Sequence, residues 1–261
     1  MTLREKIERF GADDDERALL RRMCDLSERA DRTGRCTFSR FLTPAEQALC
    51  LSAGSLFEAK LSFDGGFDGA ERAVAVFTAQ DGVPPDRSDL LFPVAALRLT
   101  HSRPLGHRDI LGAVMSLGLE RAQIGDIIVG EHTSSLICLR ANLDFLLMSL
   151  SRAGRLPLET SELPLNELVP PERKTERVTV TVGSPRLDAI VAAGFRLSRE
   201  EAQDAVRRGL VSLNHRPVDK LHRELREGDL VSLRGHGRLI VAAFAGESRR
   251  GRLRVELEQF V

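Results

Sequence analysis

The chain has no Trp and no Tyr, and only Lys6, Lys60, Lys174 and Lys220 among its basic residues are lysines. Proteins that hold single-stranded nucleic acid by stacking rely on aromatic platforms, and Phe alone is a poor supply for one. Cysteine is scarce as well: Cys24, Cys36, Cys50 and Cys138 stand apart, with no Cys-x-x-Cys pair. A zinc centre needs four ligands at close, paired spacings, and the six histidines do not provide them near the cysteines. In a reducing compartment such cysteines behave as small buried hydrophobes. No apolar run approaches the roughly 20 residues needed to cross a bilayer. The opening MTLREKIERFGADDDERALLRR is charged throughout, unlike a signal peptide or an anchor. The expectation is a cytoplasmic protein without membrane contact, metal or organic cofactor.

Net charge is also missing, with 38 Lys+Arg against 38 Asp+Glu, but its distribution is uneven. From Arg173 onward there are 18 Lys+Arg and 12 Asp+Glu, which leaves 20 basic and 26 acidic residues before it. An acidic body is thus joined to a basic C-terminal part, the part a phosphate backbone would meet. The same surplus also suits an ordinary solvated surface, so charge alone does not decide.

What is present is a composition suited to folding: 261 residues, 42% hydrophobic and 29% charged. Residues 1–54 read as a helical region, with Leu19, Leu20 and Met23 at helical spacing. In it Thr43-Pro44-Ala45-Glu46 has the pattern of a capping box with proline in the first turn. Residues 55–155 alternate. Phe57–Phe63, Ala73–Phe77, Pro93–Thr100, Asp126–Val129 and Ser135–Arg140 read as strands; His107–Leu117 and Asn142–Arg152 read as helices. This suggests a ferredoxin-like α+β domain. Residues 156–177, carrying Pro157, Pro164, Pro170 and Pro171, read as a linker. Residues 178–261 form a last domain of two helices and a small sheet. The fold class is α+β and multi-domain.

In that last domain, Ser184 and Pro185 suit the start of one helix and Gly194 its end. Ser198 and Glu201 make a capping box for a second helix, which Gly209 stops. Arg199, Gln203 and Arg207 recur every four residues and so share a face; Asp204 is spaced to pair with Arg208. Short strands follow at Leu210–Leu213, Asp229–Arg234, Leu239–Phe244 and Leu253–Leu257. Both helix starts are expected to offer free backbone N–H groups beside Arg186 and Arg199, a combination suited to phosphate.

The motifs Arg186-Leu187-Asp188, Ser198-Arg199 with Ala202, Gly209 through Asn214, Gly228-Asp229 and Arg234-Gly235-His236-Gly237-Arg238 run in register over more than fifty residues. Together they resemble the RNA-binding domain named after small-subunit ribosomal protein S-four, or alpha-L domain. His215 stands where that family usually has Gly, which puts the tight turn there in doubt. The resemblance implies an RNA-binding site, for which the candidates are Arg186, Ser198, Arg199, Gln203, Arg207, Asn214, Lys220, Arg234 and Arg238.

Further upstream, TFSRFLTPAEQALC at Thr37–Cys50, the stretch Gly65-Gly66 to Val74, GHRDILGAVMSLGLERAQIGDIIV at Gly106–Val129 and ANLDFLLMSLSRAGRLPL at Ala141–Leu158 resemble the YlmH family of bacterial ribosome-associated proteins. That resemblance implies a central RRM-like domain ahead of the alpha-L domain. It also implies binding to ribosomal RNA of the large subunit, near peptidyl-tRNA, in quality control of stalled translation. Off the ribosome, a monomer is expected. The RRM-like domain is better read as protein-facing or purely structural than as a second RNA reader, since a working RRM stacks bases on sheet aromatics and the strands here offer only Phe.

An RNA-modifying enzyme is the alternative, because alpha-L domains are often joined to pseudouridine synthases or methyltransferases. Against it, Asp188 is followed by the helical AIVAAG, not by a catalytic loop, and suits instead the first-turn dipole and an ion pair to a neighbouring Arg. GGFDG near Gly65 lacks the spacing of a cofactor-binding turn. His107-Arg108-Asp109 has Val114 where a kinase loop carries Asn, and is better read as a helix opening. No catalytic residue is assigned.

Overall fold

The computed structural model describes residues 2–170, 175–247 and 251–260, and the chain divides into two units, Met1–Pro171 and Glu172–Val261. In the first unit, α1 (Leu3–Phe10) and α2 (Asp14–Thr33) lead into β1 (Thr37–Leu42) and α3 (Pro44–Ser52), followed by β2 (Lys60–Asp64) and β3 (Ala73–Thr78). The helix over Pro44–Ser52 starts as its sequence dictates: the Thr43 hydroxyl accepts from Glu46 N–H while the Glu46 carboxylate accepts from Thr43 N–H. The expectation of a purely helical start is corrected by β1, which pairs antiparallel with β3 in a three-stranded sheet ordered β1-β3-β2. Its apolar alternation is masked because two inward positions are polar. Thr37 Oγ1 donates to the Leu26 carbonyl at 2.7 Å, and Ser39 Oγ accepts from Ala75 N–H at 2.8 Å.

Next come β4 (Val94–Thr100), α4 (His107–Ser116), β5 (Ile124–Ile128), β6 (Thr133–Leu139) and α5 (Leu143–Ser149). A short hairpin of β7 (Arg152–Ala153) and β8 (Leu156–Pro157) leads to β9 (Glu159–Leu163). The four-stranded sheet has the order β5-β6-β4-β9, all antiparallel. With its two helices this is the βαββαβ ferredoxin-like arrangement, but it spans Val94 to Leu163. The strands over Lys60–Thr78, expected inside it, belong to the preceding sheet. Its fourth strand lies in the segment expected to be a linker. That strand, Glu-Thr-Ser-Glu-Leu, is a polar edge strand with only Leu163 buried, as edge strands tend to be. Pro171 and Lys174 of the expected linker lie outside the described residues.

One face of the ferredoxin-like sheet packs Leu97, Leu99, Leu136 and Cys138 against Ile110 and Val114 of α4 and Leu146 of α5. On the other face, Val94, Ala96 and Ile137 are at most 1% exposed, packed with Phe41, Val74 and Val76 of the first sheet. Two sheets thus share a dry interior. Gly125 lets them meet: a Cβ there would lie 2.8 Å from the Phe41 ring. At the rim, the half-buried Arg72 donates to the carbonyls of Ile124 (3.1 Å), Phe41 (3.3 Å) and Arg121 (3.4 Å). Asp126 accepts from the N–H groups of Glu71 and Arg72, and burial raises its carboxyl above the ordinary value despite them.

The second unit comprises β10 (Thr175–Val182), α6 (Leu187–Gly194), α7 (Arg199–Arg207), β11 (Val211–Leu213), β12 (Arg216–Pro217), β13 (Leu230–Leu233), β14 (Gly237–Glu247) and β15 (Leu253–Phe260). The sheet order is β10-β15-β14-β13-β11-β12. Both helices cover one face, with Leu187, Ile190, Val191, Ala202 and Val206 packed on Val231, Leu239, Val241 and Leu257.

The start of the first helix differs from the sequence reading: it is capped by Arg186, beyond Ser184 and Pro185. The helix ends at Gly194 as read, with Arg196 just beyond it in the left-handed region (φ 56°) and Leu197 N–H on the Ala192 carbonyl. Gly194 also serves packing, since a Cβ there would come 2.5 Å from Leu239. The turn after β11 is not rearranged: Asn214 (φ 49°) and His215 (φ 66°) are both left-handed, as a tight hairpin requires.

Candidate RNA-binding site

The most organised polar feature of the second unit is built around Asp188. Its side chain is fully buried between the two helices, yet both oxygens are engaged. Arg186 donates twice, Nε to Oδ1 at 3.1 Å and Nη2 to Oδ2 at 3.2 Å. Arg199 Nη2 and Gln203 Nε2 each reach Oδ2 at 3.2 Å. Burial alone would raise this carboxyl; hydrogen bonds from Gln203, Arg186 and Arg199 outweigh it and hold the group below the ordinary Asp value. Three candidate residues separated by up to seventeen positions are thereby locked into one surface, with the Arg199 side chain 58% exposed above its carboxylate. A buried carboxylate held below the ordinary Asp range and hydrogen-bonded at both oxygens is poorly suited to general-base work. The ion pair expected of Asp188 is present, and doubled.

The expectation of free N–H groups at both helix starts fails at α6. Leu187 N–H is taken by the Arg223 carbonyl (2.8 Å) and Asp188 N–H by the Leu221 carbonyl (3.2 Å). The loop between β12 and β13 therefore docks on the helix start and occupies the place an anion would take. The same docking brings the His222 ring against Arg186, and it carries the exposed Lys220, Arg223 and Arg226 to that side of the unit. Arg223 and Arg226 were not legible as site candidates, because nothing in their spacing announces which helix the loop meets.

The remaining candidates are placed as follows. Ser198 serves the capping box, accepting from Glu201 N–H at 3.2 Å. Arg207 pairs with Asp204 at 2.9 Å; this corrects the expected Asp204–Arg208 pair and leaves Arg208 exposed at the helix end. Asn214 is engaged within the fold, donating to Asp229 (2.8 Å) and accepting from Leu230 N–H (2.9 Å). Arg234 and Arg238 lie away from the Asp188 cluster, at and beside the turn joining β13 to β14.

In the first unit, the sheet face through which an RRM would stack bases is closed at its centre by Phe41, Val74 and Val76. His107-Arg108-Asp109 opens α4, with the Asp109 carboxylate accepting from Gly106 N–H at 2.8 Å. Among the described residues no helix is long and apolar enough to cross a membrane, and no group of His, Cys, Asp and Glu is arranged to hold a metal ion.

The architecture is multi-domain α+β, and the family matches define an RNA-binding protein with an S4 domain in its second unit. Residues 98–167 match the family described as putative RNA-binding domain in YlmH, and residues 185–231 match the S4 domain. "Ribosome-associated protein quality control protein P2" of Bacillus subtilis (strain 168) is 32% identical over 248 residues, 94% of this chain and 95% of that protein. The chain belongs to the YlmH family. A solved structure titled "Cell division protein ylmH from Streptococcus pneumoniae" aligns with a TM-score of 0.51 at 23% identity, over 61% of this chain and 98% of that one, and attests the shared fold.

Proposed function

We propose that this protein binds structured ribosomal RNA on the large ribosomal subunit, beside peptidyl-tRNA, and serves quality control of stalled translation as a non-catalytic cytoplasmic factor. The observation that carries this reading is the Asp188-held surface of Arg186, Arg199 and Gln203. Fixed guanidinium forks suit the phosphates of a folded RNA, whose shape and backbone are what such proteins read. The name of the Bacillus subtilis relative supports the ribosomal setting. The first unit, with its central sheet face closed, contributes placement more than affinity, and the protein is a monomer off the ribosome.

Cosedimentation of the full chain with purified large subunits, with and without peptidyl-tRNA, tests the proposal. The expected result is binding that strengthens with peptidyl-tRNA. In Arg186→Ala and Arg199→Ala it should weaken by about 1.5–3 kcal/mol each, the worth of a charge-assisted hydrogen bond. Binding to small subunits alone, or affinity unchanged in both variants, would refute it.

A further inference from the structure

In the first unit, a groove of about 600 Å³ lies between the loop of residues 86–92 and the edge strand β9, its lining including Asp86, Leu90, Arg140, Glu162, Leu163 and Leu165. The loop is a fixed wall. Phe92 anchors its base at 2% exposure. Ser88 N–H donates to the Asp86 carboxylate at 2.9 Å and Leu91 N–H to the Asp89 carboxylate at 2.8 Å. The Asp86 and Asp89 carbonyls accept from Asp89 and Phe92 N–H at 2.9 and 3.0 Å. Between these bonds Leu90 and Leu91 are held out in solvent, 82% and 77% exposed. Two adjacent leucines displayed on a hydrogen-bonded loop suit contact with another molecule.

The opposite wall offers backbone. β9 ends the sheet order β5-β6-β4-β9, so only one of its edges is paired. In an antiparallel pair, alternate residues turn both N–H and C=O away from the neighbouring strand. Among the described residues, the backbone groups of Glu159–Leu163 make no hydrogen bond outside the β4 pairing. Such an edge accepts an added strand, and alternate side chains of that strand would enter the groove beside Leu90 and Leu165.

Charge selects the occupant. The rim carries Asp86 and Asp89 on the loop, with Glu159, Glu162 and Glu167 on or just after β9. Its guanidiniums are all engaged. Arg87 holds Asp64 and Asp68, each at 3.0 Å, and Arg98 holds Glu167 at 3.0 Å. Arg140 spans from the Phe92 carbonyl (3.0 Å) to Glu162 (3.6 Å). Asp86, Asp89 and Glu159 form no ion pair among the described residues. This surplus of negative charge repels phosphate, and it equally repels the same acidic edge of a second copy. A basic strand is complementary to it.

We infer that this groove receives an extended, lysine- or arginine-rich protein segment, added as a strand to β9 with an apolar side chain against Leu90. The surface is a protein contact of the first unit and stands apart from the RNA-binding reading of the second.

Fluorescence anisotropy of the full chain with a short labelled peptide of alternating Lys and Val tests the inference. Wild type should bind this peptide and not its Glu-Val counterpart. Methylating the peptide's backbone nitrogens keeps its charge and side chains but removes every ladder donor, and should weaken binding by about tenfold or more. Leu90→Ser, at a position exposed in the free protein, should weaken it by about fivefold or more and leave RNA affinity unchanged. Glu159→Lys with Glu162→Lys should exchange the preference, losing the Lys-Val peptide and gaining the Glu-Val one. Asp15→Lys with Glu28→Lys, an equal charge change at exposed positions of α2, should keep peptide affinity within about twofold. A wild type that binds neither peptide overturns the inference. So does a methylated peptide held as tightly as its parent, or an α2 variant that loses the peptide as far as the edge variant does. A Leu90-dependent dimer in sedimentation overturns it in favour of a second copy.

Discussion

Replacing Asp188 with Asn separates two opposite ideas of how the cation cluster works. If the cluster acts as a sum of point charges, removing a carboxylate beneath it should tighten RNA binding. The gain would be about 1 kcal/mol or less for a phosphate some 4–6 Å away at solvent-like dielectric. If the cluster acts by preorganisation, the same change should weaken binding. Asp188 fixes three rotamer-rich side chains through contacts of 3.1–3.2 Å, and re-ordering each on binding costs about 0.5–1.5 kcal/mol. Summed over three, the loss is about 1.5–4.5 kcal/mol, and it exceeds the Coulomb gain. The net expectation is RNA affinity roughly tenfold lower at physiological salt.

The substitution also takes the buried carboxylate from two guanidiniums whose side chains are 29% and 58% exposed, so solvent screens part of the loss and the destabilisation should be about 1–3 kcal/mol. Folding must therefore be followed by far-UV circular dichroism on the same samples. Gln203→Ala is the milder companion, because it releases one neutral donor and strands no charge; it should lower affinity by about threefold. Fluorescence anisotropy with a structured ribosomal RNA fragment reads both. Unchanged or tighter binding by folded Asp188→Asn would refute preorganisation.

Three further outcomes are expected. Arg207→Ala should cost about 0–1 kcal/mol of stability, since its pair with Asp204 is exposed; if Arg208 is a phosphate ligand, Arg208→Ala should flatten the slope of log affinity against log salt by about one unit. Arg72→Ala, which strips donors from three carbonyls at the sandwich rim, should lower the stability of the first unit by about 2–4 kcal/mol in urea melts, with unchanged affinity refuting any direct RNA role. The depressed Asp188 carboxyl contributes stability that is fully present above the unfolded value and fades as pH falls through the lower folded one. The gap in unfolding free energy between wild type and Asp188→Asn should thus stay constant from neutral pH down to near the ordinary Asp value of 3.8 and narrow only below it.

The second unit was largely legible in the sequence because its local signals agree with one another. The Ser198–Glu201 capping box, the stop at Gly209 and the apolar faces of both helices are all short-range features, and all are present. What was hidden depends on contacts across the chain. The strand Thr37–Leu42 escaped notice because its inward positions are Thr37 and Ser39, polar residues whose partners, Leu26 and Ala75, lie on other elements. Glu159–Leu163 read as a linker because an edge strand need bury only one side chain. Gly194 ends the first helix as read, but its need to be Gly beside Leu239 was not legible. At the site, the Arg186 and Arg199 pairing was visible from motif and spacing. The loss of the α6 amides to residues 221 and 223 was not, because no local pattern tells where a loop will dock.

The shared interior of the two sheets has a consequence for synthesis on the ribosome. Strands β1 and β3 emerge first, and Phe41, Val74 and Val76 must wait for a sheet whose last strand ends at Leu163. At about 5–20 residues per second, the nascent chain carries an uncovered apolar sheet face for roughly 5–20 s. During that window the folding chain is itself vulnerable to misassembly or capture by a chaperone. An excised fragment of residues 94–167 would carry the mirror-image liability permanently, exposing Val94, Ala96 and Ile137 where their partner sheet belongs.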